Sequence, residues 1–238
     1  ETPILCNTAS GATAKPFVTH HNALDLDVYL RIAPEIFLKE CIVGGFEKVF
    51  EIGRCFRNEG MDPSHLQDFT MLEHYVAYWN FEDNMVFTEE LFSFLLKKFF
   101  GTMKIEIKDR QGKLAEVDFT PPWPRLSFRD LIRKDSGIDI DEFPEAEDLR
   151  KEIKKKKIEI EDLNKLNLSG LIDSLYKTVS RSKLVKPTFL TSHPLEISPL
   201  ARKNDKNPKI VDRFQLVINT WEIVNAYSEL VDPLDQRE

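Results

Sequence analysis

The chain has 238 residues, of which 42% are hydrophobic and 31% charged, and its formal net charge is −7. A chain of this size can bury a substantial core as one large domain, or as one domain with an inserted piece. The acidic balance argues against a protein whose whole surface binds nucleic acid, although a local basic patch would not show in the total.

The cysteine spacing and the hydropathy of the sequence indicate the cellular compartment of the protein. Cys6, Cys41 and Cys55 have no CxxC spacing, which argues against a disulfide framework or a zinc site and indicates a reducing environment. No apolar run approaches the ~20 residues that cross a bilayer, and no signal-peptide pattern opens the chain. We therefore expect a soluble, cytoplasmic protein with no membrane partner. Both ends read as interrupted, so we also expect a longer parent protein.

The first predicted elements are short. Residues 1–25 mix Gly, Ala, Thr and Asn with small apolar pieces and predict loops, and a short strand is expected at 28–32. Pro34 suits the first turn of a helix. That helix is expected to run to about Val43 and to stop at Gly44 and Gly45.

A β-hairpin is predicted next, from residues 49–59 and 69–79 with 60–68 as its loop. One face of the first strand carries Phe50, Ile52 and Phe56, and the other carries Gly53, Cys55, Arg57 and Glu59. One face of the second strand carries Phe69, Met71, Glu73, Tyr75 and Ala77. Ionisable groups that share a face with aromatic residues or a glycine predict the floor of a pocket.

The remaining chain alternates between helical and strand patterns. Residues 81–100 predict an amphipathic helix ended by Gly101, and a hairpin is expected around Gln111 and Gly112. Residues 126–186 are helical by pattern and predict an insertion between a first core part, 1–125, and a second, 187–238. Strands are expected at 188–190, 214–218 and 221–227, with a turn at Asn219 and Thr220. The lysines at 154–157 could contact a phosphate backbone, but flanking glutamates favour a solvated helix face.

Arg57 is the clearest candidate for chemistry. Its guanidinium is a planar fork of donors that suits a carboxylate or a phosphate. A strand would hold it rigidly enough to bind an α-phosphate in line for attack. A surface arginine is the alternative, which the nearby acids and aromatic rings disfavour. His65 could meet a terminal phosphate and Phe69 could stack on a base, although by themselves such residues usually have no ligand.

A second group of candidates lies near the end of the chain. Asn225, Tyr227 and Glu229 alternate onto one face of a predicted strand. If Glu229 faces Glu73, the two carboxylates need a cation between them, such as a lysine-like ammonium, or one must be protonated. Glu222 has the opposite parity and would join this row only through a β-bulge, or would act separately beneath a nucleotide.

These motifs together resemble the class II lysyl-tRNA synthetases over nearly the whole chain. The residues that carry the resemblance are 11–22 (GATAKPFVTHHN), 29–35 (YLRIAPE), the Phe-Arg-Asn-Glu hairpin at 56–59, 197–201 (ISPLA) and 222–229 (EIVNAYSE). The resemblance implies an α+β fold, an antiparallel β-sheet flanked by helices. In the family an anticodon-binding β-barrel lies upstream, and we expect residues 1–238 not to include it.

The resemblance also implies roles for nucleotide binding. Arg57 would be catalytic, bridging the lysine carboxylate and the α-phosphate of ATP. Glu59 would meet the adenine amino group, His65 the γ-phosphate, and Phe69 the adenine ring. Glu222 would bind magnesium.

For lysine, the resemblance implies a pocket with one acidic site at each end. The ε-ammonium would bind Glu73, Tyr75 and Glu229. The α-amino group would bind at Gly11 and Glu35, and Asn225 and Tyr227 would line the pocket.

Two departures from the family pattern affect these expectations. Leu66, Gln67 and Asp68 replace an Asn-Pro-Glu run, and Gln215 stands where a second metal-binding glutamate is expected. A glutamine keeps a neutral acceptor but loses a charge that would hold a hard cation. The dimer-interface helix of the family's first motif and its third motif fall outside residues 1–238. We therefore expect a homodimer only in the longer protein, and an inactive chain by itself.

The resemblance predicts a lysine–tRNA ligase. The enzyme would activate lysine with ATP and Mg²⁺ to lysyl-adenylate, and would then transfer the lysyl group to tRNA(Lys). One alternative is a stand-alone paralogue that lysylates a protein such as an elongation factor. Another is a degenerate synthetase-like interaction module, for which only Gln215 and Leu66 argue.

Overall fold

The computed structural model describes residues 1–9, 11–12, 14–60, 65–198 and 200–237. They divide into two compact units, Glu1–Tyr78 and Trp79–Glu238. Both contain helices and mainly antiparallel strands, which confirms the predicted α+β class. No helix within the described ranges combines the length and the apolarity of a membrane span.

The described residues of the first unit form five strands and one helix. They are β1 (Leu5–Cys6), β2 (Val18–His21), β3 (Leu26–Leu30), α1 (Glu35–Val43), β4 (Lys48–Phe56) and β5 (Asp68–Val76). The helix α1 follows Pro34 and ends before Gly44, as expected. The expectation of loops throughout 1–25 was wrong, because β1 and β2 pair with the two edges of β3. Such short strands depend on a distant partner and leave little local pattern.

The strands β4 and β5 form the predicted antiparallel hairpin, with Cys55 opposite Phe69 and Glu51 opposite Glu73. Both strands are shorter than expected. The ladder ends at Val76, and Tyr78 adopts a positive φ of 67° that breaks the extended conformation. Within this unit Cys55 is fully buried, whereas Phe50 on the opposite face is 68% exposed. The face with the ionisable candidates is therefore the enclosed one.

The second unit begins with α2 (Phe81–Phe100), β6 (Lys104–Lys108), β7 (Leu114–Asp118) and β8 (Arg125–Ser127). Asn80 accepts from the backbone of Glu82 and Asp83, and Asp83 accepts from the Asn80 backbone, which completes a capping box. The helix ends at Gly101, as predicted. The hairpin of β6 and β7 turns at 109–113, also as predicted.

Three more helices and three more strands follow among the described residues of the second unit. They are α3 (Phe128–Ser136), α4 (Ala146–Lys155), α5 (Leu168–Val179), β9 (Thr188–Pro194), β10 (Ile210–Ile218) and β11 (Trp221–Tyr227), with short 3-10 helices at Ile140–Glu142, Arg181–Lys183 and Leu195–Ile197. The sheet order is β11-β10-β9-β8. The pair β8–β9 is parallel, unlike the others, because α3 to α5 form the crossover between them.

The sheet of the second unit has a hydrophobic core on each face. Leu190 and Val217 pack against α3, α4 and α5, whereas Phe189 and Phe214 pack against α2 and the β6–β7 hairpin. The two faces alternate along each strand. The helical stretch thus shares its core with β9 and β10, and the insertion boundaries at 125 and 186 stay a proposal.

Candidate active site

Arg57 and Phe69 lie together on the enclosed face of the β4–β5 hairpin. The backbone N–H of Arg57 donates to the carbonyl of Gln67 at 2.7 Å, which continues the pairing past the end of β4. The guanidinium carbon of Arg57 lies 5.1 Å from the centre of the Phe69 ring, in cation–π range. Its Nε is buried and donates to no acceptor among the described residues. The pair therefore presents an unused donor beside an aromatic ring.

Glu59 and His65 lie on either side of the hairpin loop. The Oε1 atom of Glu59 accepts from the backbone N–H of Lys15 at 3.3 Å, and the N–H of Asn58 donates to the carbonyl of Lys15 at 2.8 Å. These two hydrogen bonds tie the segment of Asn58 and Glu59 to Lys15. His65 is exposed and follows residues 61–64, which lie outside the described residues.

A second cluster in the first unit gathers acidic and aromatic candidates. The hydroxyl of Tyr75 donates to Oε1 of Glu73 at 2.6 Å. The ammonium of Lys39 lies 2.6 Å from Oε1 of Glu35 and 5.7 Å from the centre of the Tyr75 ring. A Cβ on Gly11, whose φ is +94°, would lie 3.3 Å from the Cβ of Glu35. The cluster already accommodates one ammonium, that of Lys39.

A buried ion pair that the sequence analysis missed supports this face. Arg31 donates from Nη1 to Oε1 of Glu51 at 2.6 Å and from Nε to the carbonyl of Arg54 at 2.8 Å. Burial alone would raise the pKa of Glu51, but hydrogen bonds from Thr2 and Arg31 outweigh it and lower that pKa. The one signal in the sequence was a charged residue between Leu30 and Ile32.

In the second unit a β-bulge places Glu222 on the same face as Gln215 and Asn225. Gln215 pairs with Asn225 and Leu216 with Val224, but Val217 pairs with Glu222, so that Ile223 has no partner on β10. The extra residue reverses the parity of Glu222 relative to a regular strand. The Gln215 side chain is one of the groups that lower the pKa of the Glu222 carboxyl. The sequence analysis required a β-bulge for Glu222 to share a face with Asn225, and the structure contains that bulge.

The electrostatics around Glu222 are finely balanced. The residue is partly exposed to solvent, but the surrounding protein keeps water from its carboxylate, and this desolvation raises the pKa of Glu222. The positive charges of Arg213 and Lys177 oppose that rise. His193 is fully buried, and burial, followed by the charge of Arg213, lowers its pKa to about 3. The imidazole is therefore neutral at physiological pH. Its Nε2 lies 3.2 Å from Oε1 of Gln215.

Arg213 is a further residue that the sequence analysis missed. It lies on β10 opposite Tyr227. Its Nε donates to Oδ1 of Asn225 at 2.8 Å, and its Nη1 donates to the carbonyl of Ile197 at 2.8 Å and to Oγ of Ser198 at 2.7 Å. The side chain also borders a cleft of about 320 Å³, which is lined by Phe128, Ser169, Gly170, Asp173, Ile197, Arg213 and Gln215. Arg213 lies between Asp212 and Phe214, one residue before the strand predicted at 214–218, so the sequence carried no clear signal for it.

Glu229, the last of the three alternating candidates Asn225, Tyr227 and Glu229, lies just after β11. Tyr227 is half-buried at the end of that strand, and Glu229 forms an isolated antiparallel bridge with Ala201. The bridge continues the pairing of this segment beyond the strand. That Glu229 and Glu73 share one ligand stays a prediction.

The chain is similar along its whole length to a family of known proteins. The family model of tRNA synthetases class II (D, K and N) matches residues 1–238. A lysine–tRNA ligase of Aquifex aeolicus is 45% identical over 239 residues, which cover 100% of the chain and 39% of that protein. One of Thermotoga maritima is 49% identical over 236 residues, covering 99% of the chain and 45% of that protein. One of Clostridium acetobutylicum is 46% identical over 239 residues, which cover 100% of the chain and 45% of that protein. The chain thus spans less than half the length of these relatives.

Proposed function

The chain belongs to the class II tRNA synthetases (D, K and N), and from that premise we propose that it forms the larger part of the catalytic domain of a lysine–tRNA ligase. The observation that carries the choice of lysine is the identity of 45–49% to lysine–tRNA ligases along essentially the whole chain. The acidic and aromatic cluster in the first unit supports it, because an ammonium substrate requires carboxylates as partners.

The first step of the proposed reaction joins lysine to AMP. The lysine carboxylate attacks the α-phosphate of ATP and pyrophosphate leaves, which gives lysyl-adenylate. Arg57 would contact both reacting oxyanions, and its unused Nε–H supports that role. Phe69, 5.1 Å from the guanidinium, would stack on adenine, and Glu59 and His65 would bind the adenine amino group and the γ-phosphate. Catalysis then consists of positioning and charge neutralisation, without a covalent nucleophile.

The acids select the amino acid in this proposal. Glu73, held by the Tyr75 hydroxyl at 2.6 Å, would bind the ε-ammonium together with Glu229. Glu35 and the backbone at Gly11 would bind the α-amino group. Because Lys39 already pairs with Glu35 at 2.6 Å, the substrate would share that carboxylate or displace the resident ammonium.

The residues around Glu222 fit a magnesium ion only in part. No group of three or more His, Cys, Asp or Glu side chains is arranged for a metal among the described residues. Glu222 offers one carboxylate, whereas the oxygen of Gln215 faces the buried imidazole of His193 at 3.2 Å. Mg²⁺ commonly binds through one carboxylate and the phosphates of its substrate. We propose that Glu222 alone holds the ion here, and the ion would neutralise phosphate charge.

The second step and the partners are also proposals. The lysyl group would pass from the adenylate to the 3′-terminal ribose of tRNA(Lys). The homodimer implied by the resemblance and the cytoplasmic location expected from the cysteines and the hydropathy remain proposals for the longer protein.

The direct test is lysine-dependent exchange between ATP and pyrophosphate, measured on the full-length gene product and followed by aminoacylation of tRNA(Lys). Aspartate and asparagine serve as controls, because the family also includes enzymes for those amino acids. Exchange with lysine alone, and lysyl-tRNA as product, is the expected result. Exchange with aspartate or asparagine instead of lysine would overturn the substrate, and exchange without tRNA charging would favour the protein-lysylating paralogue. Absence of any exchange would favour the non-catalytic module.

A further inference from the structure

The imidazole of His193 is enclosed by aromatic rings. The residue lies on β9 and is fully buried. Its ring centre lies 5.0 Å from that of Phe128, which in turn lies 4.9 Å from the ring centre of Tyr176. Aromatic side chains packed at these separations hold one another in place, so the ring of His193 has little room to turn. Its two nitrogens therefore occupy fixed positions.

One of these nitrogens has a hydrogen-bond partner among the described residues and the other has none. Nδ1 is buried without a partner, whereas Nε2 lies 3.2 Å from Oε1 of Gln215 on the neighbouring strand β10. The oxygen of an amide can only accept, and a neutral imidazole carries a single N–H. The proton therefore sits on Nε2, which donates to Oε1 of Gln215.

This bond also orients the amide of Gln215. With Oε1 toward His193, its NH₂ group is left for the face on which the bulge places Glu222. Amide oxygen and nitrogen are easily confused, but the carboxylate decides between the two orientations, because it accepts hydrogen bonds and donates none. Desolvation raises the pKa of Glu222, and the side chain of Gln215 acts against that rise, which is the effect of an N–H that faces the carboxylate. The reverse orientation would set oxygen against oxygen.

We propose that His193 is a positioning residue, which fixes the amide of Gln215 and, through that amide, the carboxylate of Glu222. The inference rests on the proposed function, in which Glu222 holds the metal ion, and makes it more specific. Gln215 serves as the link between a buried imidazole and that carboxylate, and its oxygen does not bind the ion. Groups behind a metal ligand set its orientation, and their loss commonly weakens metal binding.

The sharpest test is His193→Phe in the full-length protein. Phenylalanine keeps a ring against Phe128 but has no N–H for Gln215. We expect the affinity for Mn²⁺, measured by electron paramagnetic resonance with a non-hydrolysable ATP analogue present, to fall by about tenfold or more. If Oε1 of Gln215 were itself a metal ligand, removal of the imidazole would free that oxygen, and Mn²⁺ would bind as tightly as in the wild type or more tightly. That result would overturn the proposal.

Further variants show whether the effect passes through Gln215. His193→Gln restores an N–H near the position of Nε2 and should recover most of the affinity lost in His193→Phe, whereas equal losses would contradict the need for a donor. Gln215→Met removes the link, and the double variant His193→Phe/Gln215→Met should bind Mn²⁺ no more weakly than Gln215→Met alone. Fully additive losses would show that His193 does not act through Gln215. His20→Phe is the matched control and should leave the affinity unchanged, because His20 is exposed and pairs with Asp27 at 3.0 Å.

The protonated nitrogen can also be observed without metal or catalysis. In protein labelled with ¹⁵N-histidine, nuclear magnetic resonance distinguishes a ring nitrogen that carries a proton from one that does not, and the signals lost in His193→Gln belong to His193. We expect a proton on Nε2 and none on Nδ1 at neutral pH. A proton on Nδ1 instead would overturn the proposal, since Nε2 could then only accept from Gln215 and the amide would have the reverse orientation.

The outcomes separate the two hypotheses. If the wild-type protein neither binds lysine nor catalyses exchange, the proposed function fails and this inference fails with it. If the wild-type protein binds Mn²⁺ with the analogue and His193→Phe binds it as tightly, the inference alone fails. Because Gln215 is only partly buried, Gln215→Met is expected to fold even if His193→Phe does not. It should then lower the affinity for Mn²⁺ by about tenfold, and an unchanged affinity would contradict the proposal.

Discussion

Arg31 and Glu51 form an ion pair of 2.6 Å whose side chains are only 2% and 4% exposed. Arg31 also contacts the carbonyl of Arg54, and the N–H of Phe56 donates to the carbonyl of Arg31 at 2.9 Å. The segment that follows β3 is thus joined to β4, on the face of the hairpin to which Arg57 also belongs. The pair fixes the strand from which the proposed catalytic residue projects.

Removal of one partner should be costly. In Glu51→Gln the buried charge of Arg31 loses its counterion, and we expect a loss of about 3–5 kcal/mol in the free energy of unfolding. The double variant Arg31→Met/Glu51→Leu should lose less, because no charge is left buried. Chemical denaturation measures both, and a Glu51→Gln variant as stable as the wild type would contradict the prediction.

The same pair predicts a dependence on pH. Burial opposes the charged form of Glu51, but the bonds from Thr2 and Arg31 prevail and lower its pKa from the ordinary 4.5. A lowered folded-state pKa stabilises the fold above the unfolded value, and this contribution is lost as pH falls through the folded value. The difference in melting temperature between wild type and Glu51→Gln should be constant above pH 4.5 and shrink below it. A difference that grew on acidification would contradict the sign.

Gly53 is expected to tolerate no side chain. A Cβ at this position would lie 2.2 Å from Nη2 of Arg31 and 2.9 Å from Oε1 of Glu51. Gly53→Ala should therefore displace the ion pair and destabilise the protein by about 1–3 kcal/mol, as overpacking does. Gly60→Ala is the control, since nothing lies within 4 Å of a Cβ there. Equal melting temperatures for the two variants would refute the prediction.

Arg57 should be essential for adenylate formation. Arg57→Ala removes a cation from the α-phosphate, and we expect exchange between ATP and pyrophosphate to fall by more than about hundredfold while the fold is retained. Arg54→Ala is the matched control, because Arg54 lies on the same strand and pairs with Asp68 at 2.9 Å on the exposed face. Comparable losses in both variants would remove the special role of Arg57.

Gln215 should limit the metal affinity of the site. In Gln215→Glu a second carboxylate would lie near Glu222, and we expect Mn²⁺ to bind about tenfold more tightly or more in the presence of a non-hydrolysable ATP analogue. Electron paramagnetic resonance of Mn²⁺ measures this affinity directly. Glu222→Gln is expected to lower the affinity for Mn²⁺. Unchanged affinity in Gln215→Glu would show that position 215 does not face the metal.

Glu229 should contribute strongly to lysine binding. Glu229→Gln keeps the shape of the side chain and removes its charge, so we expect a loss of about 2–4 kcal/mol in the binding free energy of lysine by calorimetry. Glu106→Gln, an exposed change on β6, is the control and should have no effect. Lysine affinity that is the same in both variants would refute the assignment to the ammonium.

Much of the local structure could be predicted from the sequence. The helices α1 and α2 begin and end where Pro34, Gly44 and Gly101 indicated. The turn at Asn219 and Thr220, with positive φ values of 45° and 71°, joins the two strands that alternation predicted. Caps, turns and alternation act over a few residues, so these features can be recognised without knowledge of distant contacts.

The family, the order of most elements and the candidate residues on each face of the β4–β5 hairpin could all be predicted from the residues alone. The folded chain was needed to show that Ile223 is the extra residue that turns Glu222 toward Gln215, and that Arg31 and Arg213 are held by partners far from them in the chain. These two features depend on contacts between residues that are distant in sequence. A bulge is a property of two paired strands, and a buried arginine is tolerated only where separate segments together supply its acceptors.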